Sequence, residues 1–274
     1  MLRRAIPRSG ELLPVVGLGT YQAFEAGDSQ AQREPLRQVL RLLVEHGGSV
    51  IDSSPMYGSS ERVVGDLSAE LGLRPKLFMA TKVWTPGREA GIGQMEESFR
   101  RMRVERMDLM QIHNLLDWKI HARTLAEWKQ ARRIRYSGIT HYHSGAYDDL
   151  GRILKTGQFD FVQFNYSIAE REAENSLLPL AQDTGTAVIV NRPFAQAGLF
   201  SRVRGAEVPA WAAEFDCASW AQFFLKYVLS HPAVTCVIPA TSKPDHLVDN
   251  MDAGLGRLPD EPARRRMAKF IDEL

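Results

Sequence analysis

Apolar, β-rich runs recur along the chain at 15–20, 49–53, 77–83, 107–113, 136–141, 161–166, 187–192 and 235–239. Segments with helical period separate them, at 31–45, 60–71, 88–103, 120–131, 145–155, 171–183 and 219–230. In the first of these, Leu36, Val39, Leu40, Leu43 and Val44 recur at three- and four-residue steps, the stripe of a helix that faces a core. The runs around Phe161 and Val188 are apolar on both faces, as strands covered by helices should be. Glycines close several helical segments, at Gly47-Gly48, Gly72, Gly157 and Gly185. Ahead of the first run, 2–6 and 12–15 flank the turn formers Pro7-Arg8-Ser9-Gly10 and read as a short hairpin. Longer loops fall at 52–59 and 191–209, and the tail from Leu258 carries a helical pattern with Met267, Phe270 and Ile271 inward.

Eight strands alternating with helices and no break in composition predict a single domain over 1–274, a (β/α)8 TIM barrel. A doubly wound sheet is the rival. Its dinucleotide fingerprint needs a third glycine after Gly17-Leu18-Gly19, and that position holds Gln22.

At 274 residues the chain is long for one domain of any other architecture. Its 34 Lys and Arg against 33 Asp and Glu leave a net charge of +1, which gives no reason to expect a nucleic-acid partner. No run approaches the ~18 apolar residues of a membrane span. Arg3-Arg4 is followed by no continuous apolar segment, so no export signal is expected within the chain, although a longer precursor stays open; the expected location is cytoplasmic. Cys217 and Cys236 make no metal or redox spacing and read as reduced, buried thiols; no metal site is expected.

The chemistry lies at the ends of three successive runs. The run at 49–53 reaches Asp52, with Tyr57 just beyond; the next reaches Lys82 and the third His113. Neighbouring members are about thirty residues apart, the length of one strand-plus-helix unit. Parallel strands therefore bring all four residues to one end of the sheet. A free tyrosine titrates near pH ~10, too high for an efficient acid at neutrality. An ammonium from Lys82 would lower that value, and Asp52 would keep a buried Lys82 charged. His113 can hydrogen-bond a carbonyl oxygen. Together the four describe a proton donor aimed at a carbonyl, with hydride supplied by a nicotinamide or a flavin, since no side chain carries it.

These residues resemble the aldo-keto reductase family. The resemblance rests on Asp52-Ser53-Ser54-Pro55-Met56-Tyr57-Gly58-Ser59-Ser60-Glu61, Thr81-Lys82-Val83-Trp84 and Met107-Asp108-Leu109-Met110-Gln111-Ile112-His113. It extends to Gln163-Phe164-Asn165-Tyr166-Ser167 and Ile238-Pro239-Ala240-Thr241-Ser242-Lys243-Pro244. It implies a hairpin closing the barrel bottom and NAD(P)H-dependent reduction of a small-molecule aldehyde or ketone. Tyr57 would be the general acid, Lys82 and Asp52 would tune it, and His113 would orient the carbonyl. Gln163, Thr140 and His141 would face the nicotinamide carboxamide, with Gly19, Thr20 and Tyr21 along the floor. Thr241, Ser242, Lys243, His246, Asp249 and Asn250 would hold the adenosine end and its phosphate.

Three departures qualify the resemblance. Thr140-His141 stands where the family has Ser-Asn. Asn191-Arg192-Pro193-Phe194 stands where many members place an aromatic under the nicotinamide, so either Phe194 reaches over or the ring is stacked differently. Ala240 and His246 stand where a basic pair meets the 2′-phosphate, leaving Lys243 as the nearby cation. NADPH is expected, with NADH as the alternative. The pocket would be lined by Tyr21, Phe24, Met56, Trp84, Leu115, Leu116, Trp118, Tyr142 and residues of the loop 191–204, an apolar surface suited to a hydrophobic carbonyl compound, with Arg192 as an exception. No exposed apolar stripe demands an oligomer, and a monomer is expected. Two other readings stay open: a cofactor-binding redox sensor or regulator with little turnover, and a Schiff-base lyase using Lys82.

Overall fold

The computed structural model describes residues 1–274. The chain opens with an antiparallel hairpin, β1 (Arg3–Ala5) and β2 (Leu12–Pro14). Then follow β3 (Leu18–Gly19), α1 (Gln30–Glu45), β4 (Val50–Asp52), α2 (Ser60–Glu70), β5 (Phe78–Val83), α3 (Arg88–Met102), β6 (Met107–His113) and α4 (Trp118–Gln130). The second half holds β7 (Ile134–Thr140), α5 (Tyr147–Leu154), β8 (Phe161–Asn165), α6 (Leu177–Asp183), β9 (Ala187–Asn191), α7 (Gly198–Arg202), α8 (Trp220–Leu229), β10 (Val234–Val237), α9 (Pro244–Asp252) and α10 (Glu261–Asp272).

Strands β3 to β10 form one sheet of eight in sequence order, every paired neighbour parallel. Bridges between Val16 and Val237 and between Gly19 and Ala240 join its first and last strands, so the sheet closes into a barrel. Gly17 N donates to Val237 O at 2.8 Å and Val237 N to Val15 O at 2.9 Å across this seam. No helix is long and apolar enough to cross a membrane.

Strand periodicity separates two cores. Residues of one phase pack outward against the helices in a cluster of 61 buried residues. The other phase fills the barrel with 12: Val50, Phe78, Ala80, Leu109, Tyr136, Phe161, Ala187, Ile189, Cys236 and Ile238, joined by Ile6 and Leu13 of the hairpin. The hairpin thus plugs the bottom of the barrel. It is held there by Arg4, which donates to the carbonyls of Leu229 and His231 at 2.5 and 2.9 Å, and by Glu11, which accepts from Tyr136 Oη at 2.6 Å. Moving up each strand in the same phase, apolar side chains give way to Asp52, Lys82, Gln111, Thr140 and Gln163, all buried.

Three segments depart from the sequence reading. The helix expected over 171–183 is broken: a 3-10 turn at Glu172–Asn175 precedes α6. Pro179 supplies the reason, because it has no N–H to give the Asn175 carbonyl and its ring crowds that group. The segment 145–155 likewise begins as a 3-10 turn before α5. The long loop at 191–209 contains α7.

Two glycines test the packing of the outer layer. A Cβ at Gly65 would lie 2.0 Å from the Arg101 carbonyl oxygen and 2.8 Å from Met102 backbone, so α2 and α3 meet backbone to backbone. A Cβ at Gly93, exposed on α3, meets nothing within 4 Å. Urea unfolding should therefore show Gly65→Ala losing about 1–3 kcal/mol to overpacking. Gly93→Ala should gain about 0.5–1 kcal/mol from helix propensity. Shifts of the same sign would contradict this packing.

Candidate active site

Burying an ammonium is tolerated only where a partner offsets its lost hydration. Lys82, near the end of β5, is fully buried. Its Nζ donates to Asp52 Oδ2 at 2.5 Å and to the Ser53 carbonyl at 2.7 Å. The other Asp52 oxygen accepts from Gln111 Nε2 at 2.9 Å and Gln163 Nε2 at 3.0 Å. The carboxylate thus receives three donors from three strands. Burial alone pushes the lysine toward neutrality; Asp52 and Tyr57 outweigh it and hold Lys82 above its usual range.

Tyr57 sits in the loop after β4, where Gly58 takes the left-handed conformation (φ +51°) and α2 begins. The Lys82 ammonium lies 5.2 Å from the centre of its ring. The Tyr21 ring lies 5.0 Å away between centres and the His113 ring stands edge-on at 6.2 Å. Burial pushes the Tyr57 hydroxyl above its ordinary value; Lys82 pulls it down without prevailing, and Asp52 adds to the rise. Lys82 thus acts in the expected direction, but desolvation is the larger effect and the net shift is upward. His113, at the end of β6, is pushed down to about 3, first by burial, then by Lys82 and His141, so its imidazole is neutral at pH 7. Its Nδ1 is 3.1 Å from Ser54 Oγ, and its ring is 6.3 Å from that of Trp84.

Asp52, Tyr57, Lys82 and His113 are thus brought together at the C-terminal end of the barrel. Gln163 is placed differently from expectation. Both of its amide hydrogens point into the barrel, toward Asp52 and Gln111 Oε1, while its Oε1 accepts from Thr140 Oγ1 at 3.0 Å. Gln111 belongs to the Asp52 network and Ser54 bonds His113, and the sequence pattern assigns neither a role. Gln111 was accessible to reasoning, since it lies two residues before His113 on the same strand face.

Around this centre, Thr20 is buried and bonds the Asp52 carbonyl and Ser53 Oγ. Gly19 has no room for a side chain, because a Cβ would lie 2.8 Å from the Ile238 carbonyl oxygen. Asn191 Nδ2 donates to the His141 carbonyl at 3.0 Å, while its Oδ1 is buried without a partner. Arg192 Nη1 donates to the Tyr142 carbonyl at 2.7 Å, and Pro193 is buried beside it. Phe194 packs with Phe200 and Phe224 in the helical layer, 4.9 and 6.5 Å between ring centres, so the proposed reach over the strand ends is not what the structure shows. At the start of α9, Ser242, Lys243 and His246 are exposed, Thr241 Oγ1 accepts from Lys243 N at 3.1 Å, and no side chain caps the helix. Asn250 is buried on the same helix. Asp249, expected at an adenosine, instead accepts from Ser219 Oγ and Gln222 Nε2, both at 2.8 Å, and ties α9 to the start of α8.

Of the expected pocket residues, Met56 and Tyr142 are exposed and Trp84 and Trp118 half-buried. Phe24 is corrected: it is completely buried in the outer core, turned inward by the turn in which its N–H bonds the Thr20 carbonyl.

The aldo/keto reductase family model matches residues 15–268. The chain belongs to the aldo/keto reductase family. The match leaves out hairpin β1–β2 and covers every barrel strand. Among family members, methylglyoxal reductase YeaE of Escherichia coli K12 is 30% identical over 259 residues, 91% of this chain and 89% of the relative. The NADH-specific methylglyoxal reductase of the same organism is 28% identical over 198 residues, 61% of this chain and 58% of the relative. Among solved structures, an aldo/keto reductase from Klebsiella pneumoniae in complex with NADP and acetate superposes with a TM-score of 0.82 at 26% identity, covering 96% of this chain and 93% of that one.

Three histidines make the fold pH-sensitive. Burial first, with neighbouring cationic groups, pushes His113 down to about 3 and His141 and His231 to about 4. Unfolded histidines take up a proton near pH ~6.5. Below that pH the unfolded chain binds more protons than the native one, so these groups withdraw stability as pH falls from about 6.5 toward 4. Glu61 and Asp108, raised by burial, act in the opposite direction. The difference between variants isolates the effect. Urea midpoints should fall less steeply between pH 6.5 and 5 in His141→Gln than in the parent chain, and parallel slopes would refute the assignment.

Proposed function

We propose that the protein reduces an aldehyde or ketone to the alcohol, with hydride from NADPH and the proton from Tyr57. The observation that carries this reading is the Tyr57 ring beside a buried, Asp52-anchored ammonium and a neutral imidazole, at the catalytic end of a β/α barrel. Family membership and the methylglyoxal reductase relative support it.

The residues present fit a nicotinamide dinucleotide. The buried, unpartnered Asn191 Oδ1 is an acceptor in want of a donor such as a carboxamide N–H. The uncapped start of α9, with Thr241, Ser242 and Lys243, offers free N–H groups, hydroxyls and a cation to a phosphate. The NADP-bound Klebsiella pneumoniae structure favours NADPH, and the NADH-specific relative keeps NADH as the alternative. When bound, a reduced nicotinamide supplies the hydride.

The protein's own groups then divide the remaining work. Tyr57 keeps its proton at neutral pH because burial opposes ionisation. As negative charge develops on a carbonyl oxygen beside it, the hydroxyl gives up that proton, and the nearby Lys82 ammonium stabilises the phenolate that remains. Asp52, fixed by Gln111 and Gln163, keeps Lys82 charged throughout. His113 orients the carbonyl without adding a second positive charge. Tyr21, Met56, Trp84, Trp118 and Tyr142 give the mouth an aromatic and apolar character suited to a hydrophobic carbonyl compound. The reading takes residues 1–274 as one domain working as a monomer.

Steady-state reduction of aldehydes and ketones, paired with nicotinamide fluorescence titration, tests this. Tyr57→Phe should lower kcat on the order of 10²–10⁴-fold, the range for general acid catalysis, and leave NADPH affinity essentially unchanged. Retained activity would remove Tyr57 as the donor. Binding of neither NADPH nor NADH would overturn the oxidoreductase reading itself.

A further inference from the structure

Ser54 is completely buried directly below the proposed reaction centre, and its hydroxyl has two neighbours only. The Met56 backbone N–H donates to Ser54 Oγ at 3.3 Å, and His113 Nδ1 stands 3.1 Å away. These contacts fix the direction of the second bond. Were Nδ1 protonated and donating, Ser54 Oγ would accept from both neighbours, and its own proton would be left in a buried site with no acceptor. An unmade bond of that kind is costly, whereas the opposite arrangement satisfies every group. We propose that Ser54 is a positioning residue that donates to His113 Nδ1 and so holds the imidazole in the tautomer with its proton on Nε2. The consequence rests on the carbonyl-reductase reading: His113 then always presents an N–H donor at its free nitrogen, and never a lone pair that would repel a carbonyl oxygen.

The surroundings reinforce the assignment. The Ser54 side chain is fixed by its own short turn, in which Met56 N bonds Oγ and Tyr57 N bonds the Ser54 carbonyl at 3.0 Å. The same turn carries Tyr57, so one segment places the proton donor and sets the tautomer of the group beside it. His113 stays neutral near neutrality, so the choice between two neutral tautomers is a real one.

The test reads the tautomer directly. Long-range ¹H–¹⁵N spectra of the full chain labelled at histidine nitrogens, with the His113 signals identified by their loss in His113→Gln, should show Nδ1 unprotonated and Nε2 protonated at pH 7. The reverse pattern would overturn the proposal whether or not any variant folds. Ser54→Ala should move both His113 nitrogens toward averaged shifts, lower kcat roughly two- to tenfold, the range of one net hydrogen bond, and leave NADPH affinity unchanged. A Ser54→Ala chain with the same His113 pattern and the same kcat would also overturn it. The spectra need neither cofactor nor turnover, so a protein without reductase activity would fail the functional reading and leave the tautomer result standing.

Discussion

The ion pair between Asp52 and Lys82 governs the architecture of the barrel top. Moving two charges out of water costs several kcal/mol per ion, and their attraction offsets this only with close geometry and further hydrogen bonds. Here the carboxylate is met by Lys82, Gln111 and Gln163, and the ammonium by Asp52 and the Ser53 carbonyl. Each donor must come from the interior phase of its own strand, so strand register is fixed wherever the pair is served. Gly138 shows the constraint from the opposite side: a Cβ there would stand 3.1 Å from both Gln111 Cγ and Phe161 Cβ. The strand paired with β6 gives up a side chain so that Gln111 can extend toward Asp52. Below this layer the interior is apolar except at the bottom, where Ser9 and Glu11 of the hairpin meet the Tyr136 hydroxyl.

The same pair acts on the charge states around it, second to burial. A fixed positive charge at Lys82 joins burial in depressing His113, so the centre carries one cation rather than two. It also opposes, without overcoming, the burial that raises Tyr57. A tyrosine that ionised spontaneously would have no proton left to give. In the proposed reduction, one that is difficult to ionise until negative charge appears beside it, and whose phenolate then lies next to an ammonium, releases its proton only when the acceptor is ready. Ground-state desolvation and product-state stabilisation are therefore complementary properties of one arrangement.

Much of this was legible in the sequence because strands are periodic. The interior phase can be counted along 50–52, 78–82 and 107–113, and alternation with helices leads to a barrel; the family match and the superposed structure agree. What escaped reading lies where periodicity ends. Phe24 follows Tyr21 in an irregular segment, and only a hydrogen bond back to Thr20 turns it into the core. Asp249 looked available because its partners Ser219 and Gln222 belong to a different helix, thirty or so residues away. Phe194 was assigned by its strand, yet the aromatic surface of α8 offers it a larger apolar contact. Pro179 lies inside the apolar pattern of 171–183 and splits the helix that this pattern predicts. The Tyr57 shift depends on how deeply the ring is buried, a quantity that residue identities do not contain.

The polar groups at the ends of β7, β8 and β9 are mutually connected. Asn191 donates to the carbonyl of His141, and Arg192, in a left-handed conformation at φ 52°, to that of Tyr142. The end of β9 thereby clamps the segment after β7 across the end of β8. Asn191 Nδ2 also approaches Gln163 Oε1 at 3.4 Å, and Gln163 is one of the three donors to Asp52. A large aromatic in place of Asn191 could supply neither contact, and a shorter residue would not reach the His141 carbonyl. Both acceptors are main-chain carbonyls, so the clamp depends on the side chains of Asn191 and Arg192 and not on those at 141 and 142. Through Gln163 that clamp is continuous with Asp52, so the rim of the site and the buried ion pair are held by one hydrogen-bonded network.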